Sequence, residues 1–208
     1  MRRLLLVLFP AWLVLAACDS APQPKSAAEA ATGAKGVFAW PSPPGWKAET
    51  IPFPLEFAPA LPYRGVEEVR FAPHFFEPTA DTYFSYSFAW VLEDPRPVPP
   101  EELAESIRAY FQGLAQAVGS EKHAVYDPSA FSARVEVMDP ARDRGVVKMV
   151  DAFGDGRGLS LDLEAESSLC GGRRVLLVSL SPHPTKDVGD PVWAGLRAQR
   201  ATFQCLVH

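Results

Sequence analysis

The chain has 208 residues, with 20 basic against 25 acidic side chains, a formal net charge of −5 and 21 prolines. An acidic balance without clustered Lys and Arg excludes a nucleic-acid binder, which must neutralise phosphates. It equally excludes attachment to an anionic bilayer by charge alone.

Met1-Arg2-Arg3 is a short basic start, and Leu4 to Leu15 is almost wholly apolar, interrupted by Pro10. Leu15-Ala16-Ala17-Cys18 closes the run with two small residues and a cysteine. A basic region, an apolar region and small residues at a cut site predict a secretory signal over residues 1–17. The run is too short and too asymmetric for a membrane span. Its closing Leu-Ala-Ala-Cys resembles the lipobox of bacterial lipoproteins. That resemblance implies a diacylated Cys18 thiol, removal of the preceding peptide, and a lipid-bearing N-terminus. Two acyl chains anchor stably where one anchors only marginally. The implied partner is therefore the membrane, through Cys18, and the implied location is the bacterial cell envelope with the domain in the periplasm. Asp19, directly after the cysteine, resembles an inner-membrane retention signal and favours the inner over the outer membrane.

Cleavage before Cys18 would leave 191 residues, one ordinary domain plus a tether. Of the three cysteines, Cys18 is then taken by lipid, and Cys170 and Cys205 remain in an oxidising compartment. An even pair there predicts one disulfide.

Residues 18–35 form the predicted tether. Asp19 to Lys35 holds no aromatic residue and no Leu, Ile, Val or Met, so it cannot bury enough apolar area to offset its ordering entropy. As a flexible coil its reach is roughly 20–25 Å. Residues 36–208 form the predicted domain. Gly36 to Pro62 is rich in proline and aromatics, which argues for an extended strap with short edge pairing. Phe38, Trp40, Trp46, Ile51, Phe53 and Phe57 would pin it to the core, the functional alternative being that they form an open aromatic groove.

Val66 to Ala72 reads as a short strand. Tyr83 to Leu92 reads as a longer one, with Phe84, Tyr86, Phe88, Trp90 and Leu92 on one face and small residues on the other. Glu101 to Val118 is amphipathic, with Leu103, Ile107, Tyr110, Phe111, Leu114 and Val118 on one stripe. Pro100 suits its first turn and Gly119 its stop. Strands are predicted over Phe131–Met138, Val146–Phe153, Gly158–Glu164 and Arg174–Leu180. A turn runs from Asp139-Pro140 to about Gly145, and a hairpin turn covers Gly154 to Arg157. Asp190 as N-cap and Pro191 at the first position open a terminal helix. Its predicted apolar face is Trp193, Leu196, Phe203 and Val207, with Cys205 in its last turns. Strand and helix lengths would then bring Cys205 back beside Cys170.

The predicted class is α+β: a six- to seven-stranded, mainly antiparallel sheet with two principal helices packed on it. The run GWKAETIPFPLEFAPALPYRGVEEVRFAPHFF, followed by SYSFAWVLED, resembles a group of uncharacterised bacterial envelope proteins and implies no activity. The order of elements is loosely similar to the Mog1/PsbP-like fold, which implies binding or accessory roles more than catalysis.

Motifs for catalysis are weak. The four histidines are scattered, and no Cys-x-x-Cys, His-Glu-x-x-His or Gly-x-Ser-x-Gly is present. No catalytic residue, metal or cofactor is expected. The densest polar run is Glu56, Arg64, Glu67, Glu68, Arg70 and His74, read either as surface ion pairs or as a binding site beside an aromatic groove. The function expected is a non-catalytic binding or accessory module, with a possible envelope protein partner. The alternatives are an envelope hydrolase using His74 with nearby carboxylates, or a carrier of an apolar ligand, which would show as a closed cavity behind Phe84 and Trp90.

Overall fold

A computed structural model describes residues 36–187 and 189–207. The predicted signal segment, Cys18, Asp19 and the tether lie outside the described residues. Among those described, strands β1 (Phe38–Ala39), β2 (Lys47–Pro52), β3 (Gly65–Phe71) and β4 (Tyr86–Leu92) precede helix α1 (Pro100–Glu121). Strands β5 (Ser132–Asp139), β6 (Arg142–Val150), β7 (Gly158–Cys170) and β8 (Arg173–Ser181) follow, then helix α2 (Pro191–Arg200) and β9 (Gln204–Cys205). Seven strands form one antiparallel sheet in the order β2-β3-β4-β8-β7-β6-β5, and β1 pairs with β9 in a separate two-stranded sheet. The fold is α+β with a mainly antiparallel sheet and two helices among the described residues.

Side-chain alternation divides the two faces of the large sheet. Phe88, Trp90, Val147, Leu161, Leu163 and Val178 join Leu103, Ile107 and Phe111 of α1 in the main core. Val66, Ala89, Val91, Val175 and Leu177 form a smaller cluster with Trp40 on the opposite face. β8 lies centrally and is buried on both sides from Val175 to Ser181, as a nearly continuous apolar run requires. The small residues of β4 face the second layer, where Ser85 and Ser87 meet Ser181 and Ser179 at 2.8 Å. Between these pairs and α2, the Arg200 guanidinium donates to Ser179 at 3.3 Å.

Several boundaries differ from the sequence expectation: β4 starts at Tyr86 rather than Tyr83, β6 ends at Val150 rather than Phe153, and β7 runs to Cys170 rather than Glu164. Helix α1 continues through Gly119 to Glu121. Gly119 is buried inside the helix because Ala124 and Tyr126 fold back onto it, where a Cβ would meet both at 2.8 Å. Strand β6 starts at Arg142, so Gly145 is a mid-strand residue opposite Val135 rather than a turn residue. The polar run Arg142-Asp143-Arg144 suits a strand there because Arg144 faces Glu164 across the ladder at 3.7 Å. Finally, α2 ends at Arg200, and Phe203 and Cys205 lie beyond it. The chain leaves the helix because Phe203 stacks on Phe38 at 5.3 Å and Cys205 pairs with Phe38 in the β1–β9 ladder.

Cys170 and Cys205 form a disulfide with their Cα atoms 5.5 Å apart. The bridge ties β9 to the end of β7. It arises from an extended return rather than from the last turn of a long helix. Among the described residues, no helix is long and apolar enough to cross a membrane.

Candidate functional site

On the α1 face, the rows of the sheet run Lys47–Phe71–Tyr86, Glu49–Val69–Phe88 and Ile51–Glu67–Trp90 across β2, β3 and β4. α1 covers the inner part of this surface and leaves the β2 corner to the segment after β3. There Pro73 and His74 turn the chain, with His74 at a positive φ of 64°. The turn folds Phe75 back onto Phe71 at 4.8 Å, and Phe76 stands at 4.7 Å from Phe75. Phe153, carried by the β6–β7 turn, closes against Phe76 at 5.6 Å and Phe84 at 6.1 Å. That turn is fixed by Asp151, which accepts from the Tyr83 hydroxyl and from the Gly154 amide.

The result is an open aromatic groove of about 280 Å³, floored by Val69, Phe71 and Tyr86. Glu49 and Ile51 of β2, Phe57 of the segment that follows it, and Tyr110 and Leu114 of α1 supply its remaining walls. This groove is not the closed apolar cavity that the carrier alternative expects behind Phe84 and Trp90. It uses Phe84 but not Trp90, and it opens to solvent at Phe76, which is 50% exposed.

Glu67 lies just behind the groove, between Ile51 and Trp90, and is fully buried. Its Oε1 accepts from Trp90 Nε1 at 3.2 Å, while Oε2 has no hydrogen-bond partner among the described residues. Burial pushes its carboxyl up to about 7; the Trp90 hydrogen bond pulls against that, and the charge of Glu49 adds to it. The Tyr86 and Tyr110 hydroxyls are raised well above the usual range, first by burial and then by Glu67. They stay neutral at any physiological pH.

The six polar residues singled out from sequence do not come together. Glu56 and Arg64 are exposed. Glu68 and Arg70 point to the opposite face, because adjacent strand residues alternate. There Arg70 donates to Glu68 at 3.0 Å and to the Trp40 carbonyl at 2.6 Å, and its guanidinium lies 4.8 Å from the Trp40 ring centroid. His74 is exposed and its Nδ1 lies 2.9 Å from Glu77. Only Glu67 borders the groove. The sequence does not single out Glu49, Phe75 or Phe76, and its pattern puts Phe153 in a strand and Tyr110 on a core stripe rather than on a groove. The Phe75-Phe76 pair beside Pro73 was a local signal, but nothing in the pattern linked it to Phe153.

A larger cleft of about 680 Å³ lies on the other face, between β5–β7 and α2. At its α2 side the charges are paired. Glu164 accepts from Arg197 at 2.7 Å and Arg200 at 3.1 Å, and Arg200 also pairs with Glu166 at 3.1 Å. Burial alone would raise the Glu164 carboxyl, but the two arginines outweigh it and hold it below its ordinary value. This network clamps α2 to the sheet. No metal-holding group of three or more His, Cys, Asp or Glu occurs among the described residues.

No family model, curated protein or solved structure matches the chain.

Proposed function

We propose that the protein is a membrane-tethered, non-catalytic binding module of the bacterial cell envelope, anchored by lipid on Cys18 and binding in the aromatic groove. The observation that carries this reading is the composition of the groove: aromatic and aliphatic walls with a single carboxylate, Glu49, and no histidine, serine or cysteine. Such a surface offers burial and orientation but no nucleophile–base pair. The hydrolase alternative needs His74 beside a carboxylate in a pocket, whereas His74 is exposed and pairs with Glu77 on the same turn. The Leu-Ala-Ala-Cys run supports the anchor, and a disulfide in the domain accords with an oxidising compartment. Asp19 favours retention at the inner membrane.

Two measurements test the reading. Intact mass of membrane-extracted protein should start at Cys18 with a diacylglycerol-sized addition, and a soluble protein with a free Cys18 thiol would remove the anchor. A photoreactive benzoylphenylalanine placed at position 76, on the groove rim, should give adducts in intact cells. The same residue at position 138, exposed on the opposite face, should not. Equal yields at the two positions, or none at position 76, would remove the groove as the binding surface.

A further inference from the structure

We propose that the aromatic groove selects an organic cation: a ligand with an apolar ring or short chain and an ammonium head. This deepens the binding-module reading and rests on it. The first observation is that the rim already holds such a group. Lys47 Nζ stands 5.9 Å from the centroid of the Phe76 ring. The face of an aromatic ring carries negative partial charge and attracts cations at this range. The chain's own ammonium thus shows what the rim attracts.

The second observation is the sign of the charges around the walls. β2 contributes Glu49 to the lining and Lys47 at the rim. β3 contributes Glu67, buried directly behind Ile51 with Oε2 unpartnered among the described residues. The α1 residues that line the groove, Tyr110 and Leu114, are uncharged. Lys122, at the end of α1, donates to the Ala152 and Phe153 carbonyls at 2.8 Å. A cation in the groove meets the Glu49 carboxylate at the wall. An anion meets that same carboxylate, and Lys122 is already held by the Ala152 and Phe153 carbonyls.

The third observation is the nature and size of the walls. Phe71, Phe75, Phe84 and Phe153 have no hydrogen-bond donor to offer an anionic or strongly polar head. Their rings suit a weakly hydrated, alkylated ammonium, for which burial and cation–ring attraction act together. A volume of about 280 Å³ lies at the small end for ligand pockets. It fits a head group with one ring, not a whole lipid.

Isothermal titration of the full-length chain with three probes tests the proposal: benzyltrimethylammonium, its uncharged carbon isostere neopentylbenzene, and benzoate. The cation should bind about tenfold tighter than the isostere, and benzoate should be the weakest. Glu49→Gln, at an exposed position, should weaken the cation severalfold and leave the isostere unchanged. Lys47→Gln should tighten the cation by removing an internal competitor. Equal affinity for cation and isostere, or preference for benzoate, would overturn cation selection while leaving a binding groove. No binding of any probe would overturn both readings.

Discussion

Trp90 Nε1 donates to Glu67 Oε1 at 3.2 Å, across adjacent strands and beneath helix α1. The bond compensates only part of what the carboxyl loses by leaving water. Burial lifts its folded-state pKa from 4.5 to about 7, so the native state holds the proton more tightly than the unfolded chain does. The stability contributed by that proton is full below the unfolded value and is lost as pH rises through the folded value. Glu67→Gln, neutral at every pH, should therefore be more stable than the parent by about 3 kcal/mol near pH 8, with the difference closing toward pH 5. Urea unfolding at the two pH values checks this. A constant difference would mean that Glu67 keeps an ordinary pKa.

The Cys170–Cys205 bridge closes a loop of 35 residues. In the chain-entropy model its removal, as Cys170→Ser with Cys205→Ser, should cost about 3–4 kcal/mol. Because β9 and the β1 strap hang on that bridge, thermal unfolding should first release the Phe38–Phe203 stack. Hydrogen exchange should show β1 and β9 deprotected before β4 and β8. Uniform loss of protection would contradict this order.

Glu164 behaves oppositely to Glu67. Arg197 and Arg200 hold it below its ordinary pKa despite burial, so its contribution is present above the unfolded value and is lost as pH falls through the folded one. Glu164→Gln leaves two arginines short of a counter-charge in a nearly buried network and should cost about 3 kcal/mol at neutral pH. The loss should shrink in acid. Denaturant midpoints across pH read both effects.

The register of α1 makes a sharper contrast than any single contact. Ile107 is fully buried beneath the helix and Gln116 is exposed. Ile107→Ala should cost about 2–5 kcal/mol, and Gln116→Ala less than about 0.5 kcal/mol. Similar thermal shifts for both would contradict the packing described.

Much of the architecture was readable because it rests on local periodicity. Phe88, Trp90 and Leu92 alternate with Ser87, Ala89 and Val91, and that pattern alone defines the two faces of β4. Pro100 and Asp190-Pro191 mark where both helices begin. Most of the failures share a cause, a partner distant in the chain; the end of α1 is the local exception. Phe203 fits a helical stripe, yet it leaves the helix to stack on Phe38. Arg142 to Arg144 looks like turn composition until Glu164 supplies the facing charge. The expectation that Cys205 returns beside Cys170 was sound, but its route was not, since a ten-residue helix and an extended tail replace one long helix. The groove was least legible. It is assembled from β2, β3, α1 and two turns, and no sequence period links Phe76 with Phe153. The separation of Glu67 from Glu68 was in principle readable, since neighbours on a strand face opposite ways.

The central claim is that binding takes place in the aromatic groove. Phenylalanine-labelled full-length chain, observed by carbon–proton NMR during titration with benzyltrimethylammonium, tests it most directly. The resonances of Phe75, Phe76, Phe84 and Phe153 should move together and saturate, while Phe38 and Phe203, stacked on the other face, should stay still. Movement confined to Phe38 and Phe203, or none at saturating probe, would contradict the account.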